Sequence, residues 1–134
     1  MTAVLGVLVL TGFLITGCGG DEGGPVKLKW FIAIQPGGSI EKVAETCSRE
    51  SGGKYQIELE LLPTDASQQR EQLVRRLGAK DSTIDLIGMD VVWTAEFANA
   101  GWIRQWKGAD ARAATKGVFP PVVETASFDG DLYG

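Results

Sequence analysis

The sequence contains no histidine. That absence removes the general base from any Ser-His-Asp or Cys-His arrangement within these 134 residues. There are only two cysteines, Cys18 and Cys47. Without histidine and with so few thiols, ligands for a zinc site cannot converge, and neither a metal nor a cofactor is expected. Positive charge is scarce as well: 13 Lys and Arg stand against 17 Asp and Glu, a formal net charge of −4. A nucleic-acid surface needs a basic stripe, so the balance argues against a nucleic-acid partner. No apolar run is long enough to cross a bilayer. The longest, Ala3 to Ile15, is interrupted by Thr11 and two glycines and is only about 13 residues long.

What is present suffices for one small domain: 44% of the residues are hydrophobic, enough for a core and too many for a disordered chain. The apolar run from Ala3 to Ile15 has the length of a signal-peptide core. It leads into Leu14-Ile15-Thr16-Gly17-Cys18, which resembles the bacterial lipobox, where small residues precede a cysteine that becomes acylated. Residues 1–17 are therefore expected to be a lipoprotein signal peptide and Cys18 the lipid attachment site. A buried helix is the alternative. Signal peptides open with positive residues, yet the first lysine is Lys27; this places the true start upstream or weakens the export reading. Residues 18–26, with four glycines and two acids after Cys18, read as a flexible tether.

From Val26 the pattern becomes regular. Leu28, Trp30, Ile32 and Ile34 alternate along a first strand, which Gln35-Pro36-Gly37-Gly38 breaks. Ser39 is expected to cap a helix whose packing stripe is Ile40, Val43, Ala44 and Cys47. Cys47 there is either a small buried hydrophobe or half of a disulfide to a cysteine outside this sequence. Tyr55, Ile57, Leu59 and Leu61 form one face of a second strand and Gln56, Glu58 and Glu60 the other. The acidic face suits an exposed edge. Glu58 and Glu60 point the same way along the strand, so they are poorly placed to flank a scissile glycosidic bond. Asp65 and Ser67 are candidate caps of a second helix with Leu73, Val74 and Leu77 inward and Gly78 at its end. Near the end, Asp129-Gly130 is a turn dipeptide followed by the start of a strand.

The chain is organised around Ile84 to Trp106. The run Ile84-Asp85-Leu86-Ile87-Gly88-Met89 reads as a short strand covered on both faces of a parallel sheet. Asp90 follows, and then a helical pattern holding Trp93, Glu96 and Phe97, closed by Gly101. In open α/β sheets ligands collect just outside the carboxyl ends of strands. Asp90 and Trp93 would offer a sugar a hydroxyl acceptor and a flat apolar face within one helical turn. The alternative is an aspartate that only caps and a tryptophan that only packs. Gln35 ends the first strand in the same kind of loop and could exchange hydrogen bonds with a hydroxyl, or could be solvated. Trp102 and Trp106 read as packing at a helix end.

The segment Asp85-Leu86-Ile87-Gly88-Met89-Asp90-Val91-Val92-Trp93-Thr94-Ala95-Glu96-Phe97-Ala98, closed by Ala100-Gly101-Trp102, resembles the signature of extracellular solute-binding proteins of sugar ABC importers. It is most similar to the actinobacterial trehalose/maltose-binding lipoproteins. The resemblance extends over Leu62-Pro63 to Leu77 and more loosely over Trp30 to Gly53. It implies an α/β, periplasmic-binding-protein-like fold of type II, with a mostly parallel sheet flanked by helices. Residues 27–134 would be an incomplete first lobe of a protein about three times longer. It also implies a hydroxyl-binding role for Asp90 and a position near the cleft for Gln69, which otherwise reads as part of a solvated face.

The expected function is non-catalytic capture of a di- or oligosaccharide. The expected partners are the sugar, the membrane permease subunits and the lipid bilayer that anchors Cys18 on the extracytoplasmic face of the cell membrane. A cleft ligand touches both lobes of such a fold, so this stretch alone is expected not to bind. The alternative is a secreted carbohydrate-processing enzyme whose catalytic residues lie outside these 134 residues.

Overall fold

The computed structural model describes residues 23–134. The proposed signal peptide, Cys18 and the first part of the tether lie outside the described residues. Strands β1 (Val26–Ala33), β2 (Tyr55–Leu62) and β3 (Leu86–Ile87) form a parallel sheet in the order β2-β1-β3. Val26, the last residue of the expected tether, already pairs with Tyr55. β1 is central because it is the most apolar strand, and its Phe31 and Ile32 are both buried. β2 lies at the edge, as its acidic residues suggest.

Helix α1 (Ser39–Glu50) joins β1 to β2, and helix α2 (Ala66–Gly78) joins β2 to β3. Parallel strands need such crossovers, and right-handed ones that run in opposite directions along the sheet put the two helices on opposite faces. The register agrees. Phe31, Glu60 and Leu62 share one face, where Leu73 of α2 joins Phe31 and Leu62 in the core. On the other face α1 packs against β2 through Ala44, its one fully buried residue. Val43, expected inward, is nearly half exposed, and Cys47 is half-buried with no disulfide partner among the described residues.

Three local expectations are corrected. Ser39 is the first helical residue, not the cap: Gly38 takes that position in the left-handed region at φ 66° and supplies no side-chain acceptor. Glu58 and Glu60 do not form a bare acidic face, because β1 aligns Lys27 and Lys29 beside them. Lys27 Nζ lies 2.8 Å from Glu58 and Lys29 Nζ 2.9 Å from Glu60. Finally, β3 is only two residues long and is covered on one face. Ile87 packs against the core, but Leu86, pointing the other way, is 40% exposed. α1 covers β2 rather than β3, which leaves that side open.

Beyond β3 the chain forms a 3₁₀ turn (Val91–Trp93), α3 (Thr94–Asn99), α4 (Gly108–Ala114) and α5 (Pro120–Thr125). It ends in an antiparallel hairpin of β4 (Ser127–Phe128) and β5 (Asp131–Leu132). Asp129 at φ 52° and Gly130 at φ 83° give the turn its primed geometry, matching the twist of the paired strands. The hairpin is tied back by the Trp106 amide, which donates to the Leu132 carbonyl at 2.8 Å.

Candidate functional site

All three strands of the sheet deliver their carboxyl ends to the same edge. β1 exits through Gln35, β2 through Thr64 and Asp65, and β3 through Asp90. The chain leaves β1 for α1 on one face and leaves β3 for α3 on the other. The exits of these neighbouring strands therefore diverge, which is the topological switch point where crevices form in open α/β sheets. Gln35 and Asp90 are the residues immediately outside it. Gln35 is exposed and has no side-chain partner among the described residues.

Asp90 has extended backbone angles and an exposed carboxylate. One oxygen, Oδ1, accepts from the Val92 amide at 3.3 Å, a long bond for a carboxylate cap. The other oxygen has no protein donor among the described residues. The approach of β3 to β1 at this point depends on Gly88. Its amide donates to the Phe31 carbonyl at 2.7 Å, and a Cβ there would lie 2.5 Å from Ile32 Cγ1. Only glycine lets Ile32 close over the strand just before Asp90.

Trp93 corrects the expectation placed on it. It is 6% exposed, stacks on Phe97 with ring centroids 6.0 Å apart, and belongs to the core cluster with Phe31, Leu62 and Leu73. A ring enclosed in this way offers no free face to a sugar. Trp102 packs edge-on against Phe97 at 5.5 Å, as expected of a residue at a helix end, whereas Trp106 is nearly half exposed. The exposed apolar side chains next to Asp90 in the chain are Val91 and Val92, the latter 74% exposed, and Ile34 at the exit of β1 is exposed as well. Their exposure could not be read from the sequence, because each follows a strand pattern that would bury it.

Gln69 does not lie on a solvated face. It is 9% exposed, and its Nε2 donates to the Thr64 carbonyl at 3.3 Å, bracing the exit of β2 from inside. The sequence reading missed its neighbour Arg70. Arg70 Nε donates to Glu96 Oε2 at 2.8 Å while Nη2 pairs with Oε1, a two-pronged bridge from α2 to α3. The hydrogen bond to Glu96, and then its charge, push the Arg70 pKa above its ordinary value. The two residues are 26 positions apart, so no local pattern announced the pair.

A groove of about 850 Å³ runs along the edge of β3 that has no partner strand among the described residues, with Ile84, Ile87 and Trp102 among its walls, and it reaches Met89 and Val91 on either side of Asp90. Neither Asp90, Gln35 nor Gln69 lines it. Size alone would favour this groove as a ligand site. The edge at the strand exits is the better candidate for a hydroxyl-rich ligand, because an exposed, lightly used carboxylate and an exposed amide follow neighbouring strands there.

The sequence matches no protein-family model. The fold has clear counterparts among solved structures. The GacH receptor of Streptomyces glaucescens GLA.O, solved unliganded and in complex with acarbose and an acarbose homolog, matches with a TM-score of 0.71 at 16% identity over 81% of this chain. A family 1 extracellular solute-binding protein from Alicyclobacillus acidocaldarius matches with a TM-score of 0.67 at 19% identity over 85% of this chain. A maltodextrin-binding protein from L. casei BL23, solved without ligand, matches with a TM-score of 0.66 at 10% identity over 81%. The chain covers 28% of each of these three chains. With them it shares an α/β, periplasmic-binding-protein-like fold, a parallel sheet flanked by helices.

Proposed function

We propose that this chain contributes part of the ligand cleft of a sugar-binding protein serving an ABC importer, and that it captures a di- or oligosaccharide of the trehalose or maltose kind without chemical conversion. The observation that carries the reading is Asp90. It is an exposed carboxylate at the switch point of the sheet, with one oxygen free of protein donors among the described residues and the other held only by a 3.3 Å bond. An acceptor so lightly used can orient sugar hydroxyls. Gln35 across the crevice can donate as well as accept. Ile34, Val91 and Val92 provide the apolar contact that the sequence had suggested for Trp93. The acarbose and maltodextrin ligands in the names of the structural neighbours support a sugar as the ligand class. Delivery to a permease, an extracytoplasmic location and acylation at Cys18 complete the proposal and rest on the sequence.

The test is calorimetric titration of the full gene product with trehalose and with maltose, before and after Asp90→Ala. The expected outcome is at least a tenfold loss of affinity for whichever sugar binds, about 1.4 kcal/mol or more, with unchanged melting. Unchanged affinity removes Asp90 from the site. Turnover of the disaccharide during the titration would favour the enzymatic alternative instead.

A further inference from the structure

We propose that Arg70 and Glu96 are positioning residues for Asp90: their two-pronged ion pair ties α2 to α3 and fixes the turn that carries the carboxylate. The proposal rests on the reading of Asp90 as the sugar's acceptor. It starts from how weakly that turn is held by its own backbone. Asp90 opens a 3₁₀ turn of only three residues, and α3 adds six more with no side-chain cap. A helix this short has little stability of its own and takes its orientation from what it touches. Trp93, Thr94 and Phe97 anchor its inner side in the core. They set its depth. α3 also packs against β4 of the hairpin, and Glu96 adds the side-chain tie to α2.

The outer side is held by Glu96. Its carboxylate meets both prongs of the Arg70 guanidinium, Nε at 2.8 Å and Nη2 with the second oxygen. Arg70 is itself held in place. Its neighbour Gln69 is buried and bonded to the Thr64 carbonyl at the exit of β2. A continuous path therefore runs from the β2 exit through Gln69 and Arg70 to Glu96, α3 and Asp90. It passes the exit of β1, which lies between the other two, and so ties the exit of β2 to the exit of β3 that carries Asp90.

An exposed ion pair contributes little to folding, and this one is 44% and 37% exposed. A forked guanidinium–carboxylate pair does fix direction, which a single ammonium contact does not. The pair is thus expected to matter for geometry more than for stability. That separates positioning from ordinary surface pairing.

The experiment has two arms. In the first, backbone order parameters are measured by NMR for this chain and for Glu96→Gln. The expected result is a fall confined to Val91–Thr94, with Leu73 unchanged. A flat profile overturns the proposal. In the second, trehalose and maltose affinities of the full gene product are compared for Glu96→Gln, Arg70→Lys, the exchanged pair Arg70→Glu with Glu96→Arg, and each single change in the Asp90→Ala background. Both single changes should weaken binding about fivefold at unchanged melting temperature, the exchanged pair should restore it, and neither should add to Asp90→Ala. Full additivity with Asp90→Ala, or no loss in Glu96→Gln, overturns the clamp while leaving Asp90 in the site. If Asp90→Ala alone has no effect, the sugar reading fails and the order parameters still decide the mechanical link.

Discussion

Two aspartates occupy matching positions at the carboxyl edge of this sheet, and the chain uses them differently. Asp65, after β2, accepts from the Gln68 amide at 2.9 Å and starts a helix of 13 residues. Asp90, after β3, accepts from the Val92 amide at 3.3 Å and starts a turn of three. Both carboxylates are exposed, and each spends one oxygen on a single amide among the described residues. The shorter bond of the first supports a long helix, whereas the longer bond of the second supports only a short turn, so Asp90 is the less committed to the fold. The same residue type in the same topological place is thus structural or potentially functional according to how much helix depends on it. Lightly used polar groups on a rigid scaffold are what a binding site requires.

The largest expected effect comes from removing what holds the Asp90 side of this pair in place. Phe97 is fully buried, stacked on Trp93 and met edge-on by Trp102. Phe97→Ala should cost about 3–5 kcal/mol, the usual range for a large aromatic deleted from a packed core. Urea unfolding followed by tryptophan fluorescence would read it, since two of the affected neighbours are tryptophans. A loss below about 1 kcal/mol would mean that the turn carrying Asp90 is not seated in the core.

A smaller effect tests the comparison itself. Asp65→Ala should lose about 1 kcal/mol, because a cap with a sound bond to the third following amide is removed from a long helix. Asp90→Ala should lose a few tenths of that, read as the shift of the urea midpoint at constant slope. Equal losses would show that the fold draws on both carboxylates to the same degree, and the contrast would disappear.

Much of the scaffold was legible in the sequence. β1 and β2 show a two-residue alternation, and parallel pairing preserves it. α2 shows its stripe of Leu73, Val74 and Leu77, and Asp129-Gly130 announces its hairpin. Asp90 was legible as a residue between a strand and a helix. The direction of Trp93 was not. A 3₁₀ turn repeats every three residues rather than 3.6, and over so short a span the side facing the core is set by tertiary packing. Leu86 was misread because a run of apolar residues reveals nothing about whether a second layer exists to cover it. Gln69 and Glu96 found their partners through the fold, one at a strand exit and one on another helix, and composition gives no warning of either.

A third carboxylate, at the opposite end of the sheet, extends the comparison to pH. Asp81, between α2 and β3, accepts from the Thr83 hydroxyl at 2.7 Å and the Thr83 amide at 3.0 Å through one oxygen, and from Arg76 Nε at 2.8 Å through the other. The Thr83 hydroxyl and amide bonds first, and then the Arg76 bond, favour the charged form and lower its pKa from 3.8 to about 2. A carboxylate that is more acidic folded than unfolded adds stability above its unfolded pKa, and loses it as protons return. Its contribution should therefore be complete above about pH 4 and decline through the interval down to about pH 2. Asp81→Asn should flatten the dependence of the unfolding midpoint on pH across that interval. The effect should be small, since the Arg76 pair is partly solvated. Arg76 also stacks on Phe31 at 4.5 Å, so loosening it at low pH should reach the core before it reaches Asp90. A midpoint in Asp81→Asn that still falls as steeply as in the unaltered chain would assign the acid sensitivity to groups other than Asp81.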